Sequence, residues 1–191
     1  MSSPSPLQRG VYYHLFNRGN NGANLFRNDD DYRRFLKAYT QHIEPMADTF
    51  VYCLMPNHFH LLVHIRDGVV TKSASQSFSN LFNAYTKYVH AKYKQTGSLF
   101  EHPFHRIPVM NDAYFMRLIT YIHGNPQKHG FVTDFRDWKY SSYHTHLSNQ
   151  PSRIKRDEVL SRFDGVTGFV QAHEQVLRDD ILTRLLSEDF D

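Results

Sequence analysis

Two histidines spaced one residue apart, His58 and His60, open the segment Pro56-Asn57-His58-Phe59-His60-Leu61-Leu62-Val63-His64-Ile65. On a β-strand, side chains alternate between faces, so Phe59, Leu61, Val63 and Ile65 share one face and His58, His60, Leu62 and His64 the other. Residues two apart on a strand are separated by ~7 Å, which lets the two imidazoles converge on one ion. His64 lies ~13 Å beyond His60, too far to join them without a bulge. A three-histidine zinc site on the strand alone is therefore disfavoured, and any coordination is completed from elsewhere. Alone, His-x-His is equally what alternation produces on the wetter face of a half-buried strand.

A helix further along carries the complementary chemistry. Asn111 or Asp112 is placed to cap it, and Tyr114, Phe115, Leu118, Ile119 and Ile122 recur at helical spacing. Tyr121 and Asn125 are four apart, hence on one face and ~6 Å apart along the axis, whereas His123 is about 200° around from Tyr121. A tyrosine hydroxyl is a nucleophile and an asparagine carbonyl oxygen is a third ligand for an oxygen-accepting metal. Gly124 and Pro126 are both signals that end helices, and Pro126 disfavours helical geometry at Asn125.

The surrounding elements predict how strand and helix meet. Val11 to Asn17 reads as a strand, closed by the turn-rich Arg18-Gly19-Asn20-Asn21-Gly22. Asn28 followed by Asp29, Asp30 and Asp31 starts a helix to about Ile43, with Tyr32, Phe35, Leu36 and Tyr39 on one stripe. Thr49 to Met55 is a second strand, and Pro56-Asn57 turns it into the histidine strand as a hairpin. A helix from about Ser73 to Tyr93 follows, then a short strand from Phe104 to Val109, where Pro108 suits a sheet edge. Strand, helix, strand, strand, helix, strand is the order of the ferredoxin-like split βαβ, an α+β fold with a four-stranded antiparallel sheet and helices on one face. The histidine strand would be central, and the Tyr121 helix would cover the open face.

Composition bounds the rest. A chain of 191 residues with 40% hydrophobic and 21% charged residues supports one substantial core. Cys53 is the single cysteine, so no internal disulfide forms, which favours a reducing compartment. No apolar run is long enough to cross a membrane, and Met1-Ser2-Ser3-Pro4-Ser5-Pro6 lacks the features of a signal peptide, so a cytoplasmic protein is expected. Residues 157–191 hold three arginines against nine acidic residues, while the rest holds 19 basic residues against 10 acidic. A basic body with an acidic tail suits a polyanion-binding core, although solvated charge is common in proteins that bind nothing. The expected organisation is a loose N-terminus over 1–10, one domain over 11–148, and an acidic helical extension over 149–191 whose apolar stripe, from Phe169 to Leu185, docks on the body.

Five ordered blocks carry a resemblance: Tyr13-His14-Leu15-Phe16-Asn17-Arg18-Gly19, Met55 to Val63, Gly97-Ser98-Leu99-Phe100, Tyr121-Ile122-His123-Gly124-Asn125-Pro126 and Trp138-Lys139-Tyr140-Ser141-Ser142-Tyr143. Together they are similar to the REP-associated tyrosine transposases, single-tyrosine enzymes named for a histidine-hydrophobic-histidine motif. The resemblance implies that His58 and His60 bind a divalent metal, Mg²⁺ or Mn²⁺, with Asn125 the third ligand, and that Tyr121 is the nucleophile. It implies cleavage of single-stranded DNA beside hairpin-forming sequences through a 5′-phosphotyrosine bond, with a released 3′-hydroxyl that can reverse the attack. Such a bond keeps the phosphodiester energy, and no phosphate-cradling Gly-rich loop of the Walker type is present. Arg18, Asn17, Lys87 and Arg106 are the expected DNA contacts, with Arg18 foremost. Glu101-His102-Pro103-Phe104-His105-Arg106 departs from the more basic segment expected after Gly-x-Leu-Phe. Two rival classes stay open: a hairpin-binding relative that does no chemistry, and a metal hydrolase in which Tyr121 only packs. Monomer and homodimer are equally compatible with the sequence.

Overall fold

In the computed structural model, which describes residues 6–68 and 71–178, the strand order follows from where apolar faces can be buried. β1 (Tyr12–Arg18) leads through a short turn into α1 (Asp29–His42). The hairpin of β2 (Ala47–Leu54) and β3 (His58–Ile65) follows, then α2 (Thr71–Tyr93) and β4 (His105–Val109). All pairs are antiparallel and the sheet order is β2-β3-β1-β4, with the histidine strand inside, as the split βαβ requires. Beyond it come α3 (Asp112–Lys128), α4 (Tyr143–Leu147), α5 (Arg156–Arg162) and α6 (Val166–Arg178).

Two cores lie on the two faces of the sheet. Phe59, Leu61, Val63 and Ile65 pack beneath α1 and α2 with Phe35, Phe78 and Leu81, each fully buried side chain contributing about 1.5–3 kcal/mol. On the other face Leu62, Val51 and Phe50 meet Phe115, Leu118 and Ile122 of α3, together with Phe163 and Phe169 of the C-terminal helices. Within the described residues the extension is thus part of the second core. Ile181, Leu182 and Leu185 of the expected stripe, and most of the acidic tail, lie outside them.

Helix starts are local and were readable. Asn28 caps α1, its side chain accepting from the amides of Asp30 and Asp31, and Asn111 caps α3 by accepting from Tyr114 N at 2.8 Å. The end of α3 differs from expectation. The helix continues through Gly124 and Pro126 to Lys128, with His129 N donating to Asn125 O at 2.9 Å, and stops at Gly130, whose φ of +70° is the left-handed conformation glycine tolerates best. Packing against the sheet overrides two local stop signals. The N-terminus also differs: Leu7 is fully buried and Gly10 N donates to Ile65 O at 2.8 Å, so the described part of 1–10 is docked.

Candidate active site

Register decides which side chains share the open face. Phe16 pairs with His60, Arg18 with His58 and His14 with Leu62, so His14, Phe16 and Arg18 join the two histidines beneath α3. The rings of His58 and His60 lie 5.4 Å apart and nearly perpendicular, and both residues are buried. His58 Nδ1 contacts Asn57 Oδ1 at 2.7 Å; an amide oxygen only accepts, so Nδ1 carries the proton and Nε2 the ligating lone pair. His60 Nδ1 contacts Nε2 of the buried His14 at 2.9 Å, so a metal would be held through His60 Nε2. Burial, then the neighbouring His129 and Arg18, holds His58 down at about 3, and burial with His14 and His58 pushes His60 well below its ordinary value. Both rings are neutral at physiological pH, the state a metal ligand needs.

α3 brings the tyrosine and the amide. The Tyr121 ring sits 5.7 Å from that of His60 and 6.4 Å from that of His14. One turn on, Asn125 Nδ2 donates to Tyr121 O at 2.9 Å, which fixes the amide, while its Oδ1 is buried and meets no hydrogen-bond donor. Leaving such an acceptor unmet costs about 1–3 kcal/mol, and a cation would meet it. Among the described residues no three of His, Cys, Asp or Glu are grouped to hold a metal ion; two imidazoles and one amide oxygen would be a set compatible with Mn²⁺ or Mg²⁺. Lys128, a further turn on, places Nζ 5.3 Å from the Tyr121 ring centroid, and desolvation lowers its pKa. His129 stands 4.8 Å from the His58 ring. His123 points the other way, as its angle predicted, into contacts with His173 and Ser142.

The expected DNA contacts divide. Arg18 borders the site opposite His58; its side chain is 48% exposed and its Nε donates to Glu101 Oε1 at 2.7 Å, so the acidic departure after Gly-x-Leu-Phe pairs with the principal basic candidate. Asn17 is buried, because it shares the parity of Leu15, and its Oδ1 accepts from Arg18 N at 2.9 Å; it shapes the turn and does not face DNA in this conformation. Lys87 is exposed on α2, in the layer across the sheet from His58. Arg106 pairs with Leu15 and lies with its guanidinium 3.9 Å over the Phe104 ring, so it too faces away from the site. The missed residues are Asn57, His14, Lys128 and His129. His14 was discoverable by parity, since it stands two residues before Phe16, but its contact to His60 depends on a cross-strand register that the sequence does not print.

No protein-family model matches the chain. A Haemophilus influenzae protein named as a REP-associated tyrosine transposase, a name itself provisional, is 28% identical over 125 residues, which span 60% of this chain and 70% of that protein. A solved REP-associated tyrosine transposase bound to a REP hairpin shares the fold with a TM-score of 0.65 at 17% identity, over 79% of this chain and 88% of the other.

Proposed function

We propose that the chain acts as a REP-associated tyrosine transposase, a metal-dependent endonuclease and strand transferase on single-stranded, hairpin-forming DNA through a covalent 5′-phosphotyrosine, a reading supported by its likeness in sequence and fold to proteins of that name. The observation that carries the reading is the meeting of Tyr121 with His60, one helical turn from an Asn125 oxygen that has no donor. A divalent cation held by His58, His60 and Asn125 would supply positive charge to a nonbridging oxygen of the scissile phosphate.

This chain's own residues would do the remainder. Asn57 and His14 meet the two imidazoles at Nδ1, which assigns metal ligation to Nε2 of each. Tyr121 Oη attacks phosphorus as the bond to O3′ breaks; the phenolic proton is lost and the departing O3′ gains one, so the sum is transesterification. Phenol ionises near ~10, and the ammonium of Lys128 over the ring favours the developing phenolate. Burial of Tyr121 excludes water that would otherwise compete with a 3′-hydroxyl in the reverse step.

Denaturing electrophoresis with 3′-labelled hairpin oligonucleotides tests this. A protein-linked band that needs Mn²⁺, disappears with chelator and is absent in Tyr121→Phe is the expected result. Metal-dependent cleavage that survives Tyr121→Phe would instead indicate hydrolysis by water, and hairpin binding without any band a binding module.

A further inference from the structure

Three side chains stand in a row along the border of the candidate active site. The isolated bridge between Gly19 and Phe100 extends the pairing of β1 past its end, and in that antiparallel register Arg18 lies opposite Glu101. Two hydrogen bonds fix the register, Glu101 N donating to Arg18 O at 3.0 Å and Asn20 N to Leu99 O at 2.9 Å. On its other side Arg18 pairs with His58. Residues directly opposite in an antiparallel pair share a face, so a proposed metal ligand, a guanidinium and a carboxylate follow one another across three neighbouring chain segments of the open face.

The ion pair engages the guanidinium from one side only. Arg18 Nε donates to Glu101 Oε1 at 2.7 Å, and among the described residues neither Nη1 nor Nη2 makes a hydrogen bond. A guanidinium held at Nε keeps its end-on fork, the two terminal nitrogens that match two oxygens of a phosphate. The Arg18 side chain is half exposed, so the fork is reachable, while that of Glu101 is the more covered. After burial and His129, the Arg18 charge helps to hold the His58 ring neutral, which places the guanidinium near that imidazole. An exposed ion pair adds little stability by itself, and a neutral pair draws no distant polyanion. What the row offers is directed donors at contact range beside the two histidines.

Resting on the proposed DNA chemistry, we propose that Arg18 takes the scissile phosphate end-on through Nη1 and Nη2, and that Glu101 is a positioning residue that holds the guanidinium for it. In the transition state negative charge is spread over the equatorial phosphate oxygens, and donors already in place meet it without reorganising. A long arginine loses rotamer freedom when it clamps a ligand, and the Glu101 contact has that ordering in place beforehand. The acidic departure after Gly-x-Leu-Phe therefore supports the reaction, whereas a carboxylate that merely masked Arg18 would oppose it.

The rate of covalent capture and the affinity for uncleavable DNA test the two roles separately. With 5′-labelled hairpin oligonucleotides and Mn²⁺, the length of the fragment released by wild type locates the scissile phosphate. Glu101→Ala should slow formation of the protein-linked band about tenfold at saturating DNA, with the half-saturating concentration changed less than about threefold. Glu101→Gln, whose amide oxygen still accepts from Nε, should recover most of that rate. In a Tyr121→Phe background with chelator, Arg18→Ala should weaken hairpin binding about tenfold, and should change nothing once the scissile phosphate is replaced by an uncharged methylphosphonate. An unchanged rate in Glu101→Ala would overturn the positioning role, as would faster capture in both Glu101 variants, the mark of a carboxylate that masks Arg18. Equal weakening with phosphate and methylphosphonate would overturn the contact to the scissile phosphate while hairpin recognition stood. Wild-type protein that binds the hairpin and forms no covalent band would overturn the transposase chemistry, and this assignment with it.

Discussion

Two histidine clusters flank α3, alike in composition and burial and different in closure. In front of the helix stand His14, His58 and His60; behind it stand His123, His146 and His173. Burial pushes His14 and His58 down to about 3, and His146 and His173 down to about 4. The rear cluster closes on itself. His173 Nδ1 donates to Phe169 O at 2.7 Å, so its Nε2 accepts from His123 Nδ1 at 2.8 Å, and His123 Nε2 accepts from Ser142 Oγ at 2.9 Å. Neutral His146 has one N–H to donate, to Ser142 O from Nδ1 at 2.8 Å or to Phe50 O from Nε2 at 3.1 Å. In front, His14 Nδ1 and the Asn125 oxygen are buried with no hydrogen-bond partner. Burial and a shifted pKa are therefore shared by a structural network and a candidate site. The unmet polar atoms separate them, because protein interiors leave few such atoms unsatisfied without a functional reason.

The sharpest way to break this contrast is to remove one histidine from each cluster. His60→Ala should weaken Mn²⁺ binding at least a hundredfold by calorimetry, while His123→Ala should leave it nearly intact. In chelator the order reverses. His123→Ala opens a cavity and strips partners from His173 and Ser142, costing on the order of 3 kcal/mol and, for a chain of this length, about 6–12 °C in Tm. His60→Ala also opens a buried cavity, but the contact it breaks is to His14, whose Nδ1 is already buried without a hydrogen-bond partner, and it should cost less by about 1–2 kcal/mol. Equal thermal losses with equal metal binding would mean that the two clusters are the same kind of object.

His14 gives the next test. It is proposed to orient His60 and to touch no metal, so His14→Phe, which fills similar volume, should weaken Mn²⁺ binding about 10- to 100-fold. His14→Gln, which can still accept from His60 Nδ1, should recover most of that loss. Matching Mn²⁺ affinities for His14→Phe and wild type would show the contact between His14 and His60 to be packing alone.

Period-two alternation showed His58 and His60 on one face and the apolar quartet on the other, because a strand's geometry leaves no other choice. The split βαβ order was readable for the same reason, and Tyr121, Asn125 and His123 fell on the helix faces that 100° per residue dictates. What was not readable depends on contacts between distant segments. Gly124 and Pro126 say stop, and only docking on the sheet carries α3 to Lys128. Lys87 and Arg106 are basic, but charge does not say which layer a residue occupies. Asp31 reads as one of three acidic residues at a helix start; in the fold it is buried, and its carboxylate accepts from Lys92, Tyr88 and Tyr93 to tie α1 to α2. Asn17 looked like the rim of a basic turn, whereas its strand parity buries it.

The smallest expected effect is one of pH, and it sharpens what closure means. In the folded chain burial holds His173 neutral down to about 4, while in the unfolded chain it titrates near ~6.5. Between those values the unfolded state binds a proton that the folded state does not. Stability is therefore complete above about pH 6.5 and falls with acid, by up to about 1.4 kcal/mol per pH unit for each such histidine. Protonated His173 has no lone pair to accept from His123, so the contact between α6 and α3 is lost first. Urea unfolding at pH 7.0 and 5.5 should show a drop for wild type that is smaller by about 1.4 kcal/mol in His173→Gln. The glutamine amide can replace the acceptor without a titrating group, so its variant separates loss of the hydrogen bond from uptake of the proton. An undiminished drop in that variant would mean that His173 is already charged, or already exposed, in the folded chain, and that the rear cluster is open as well.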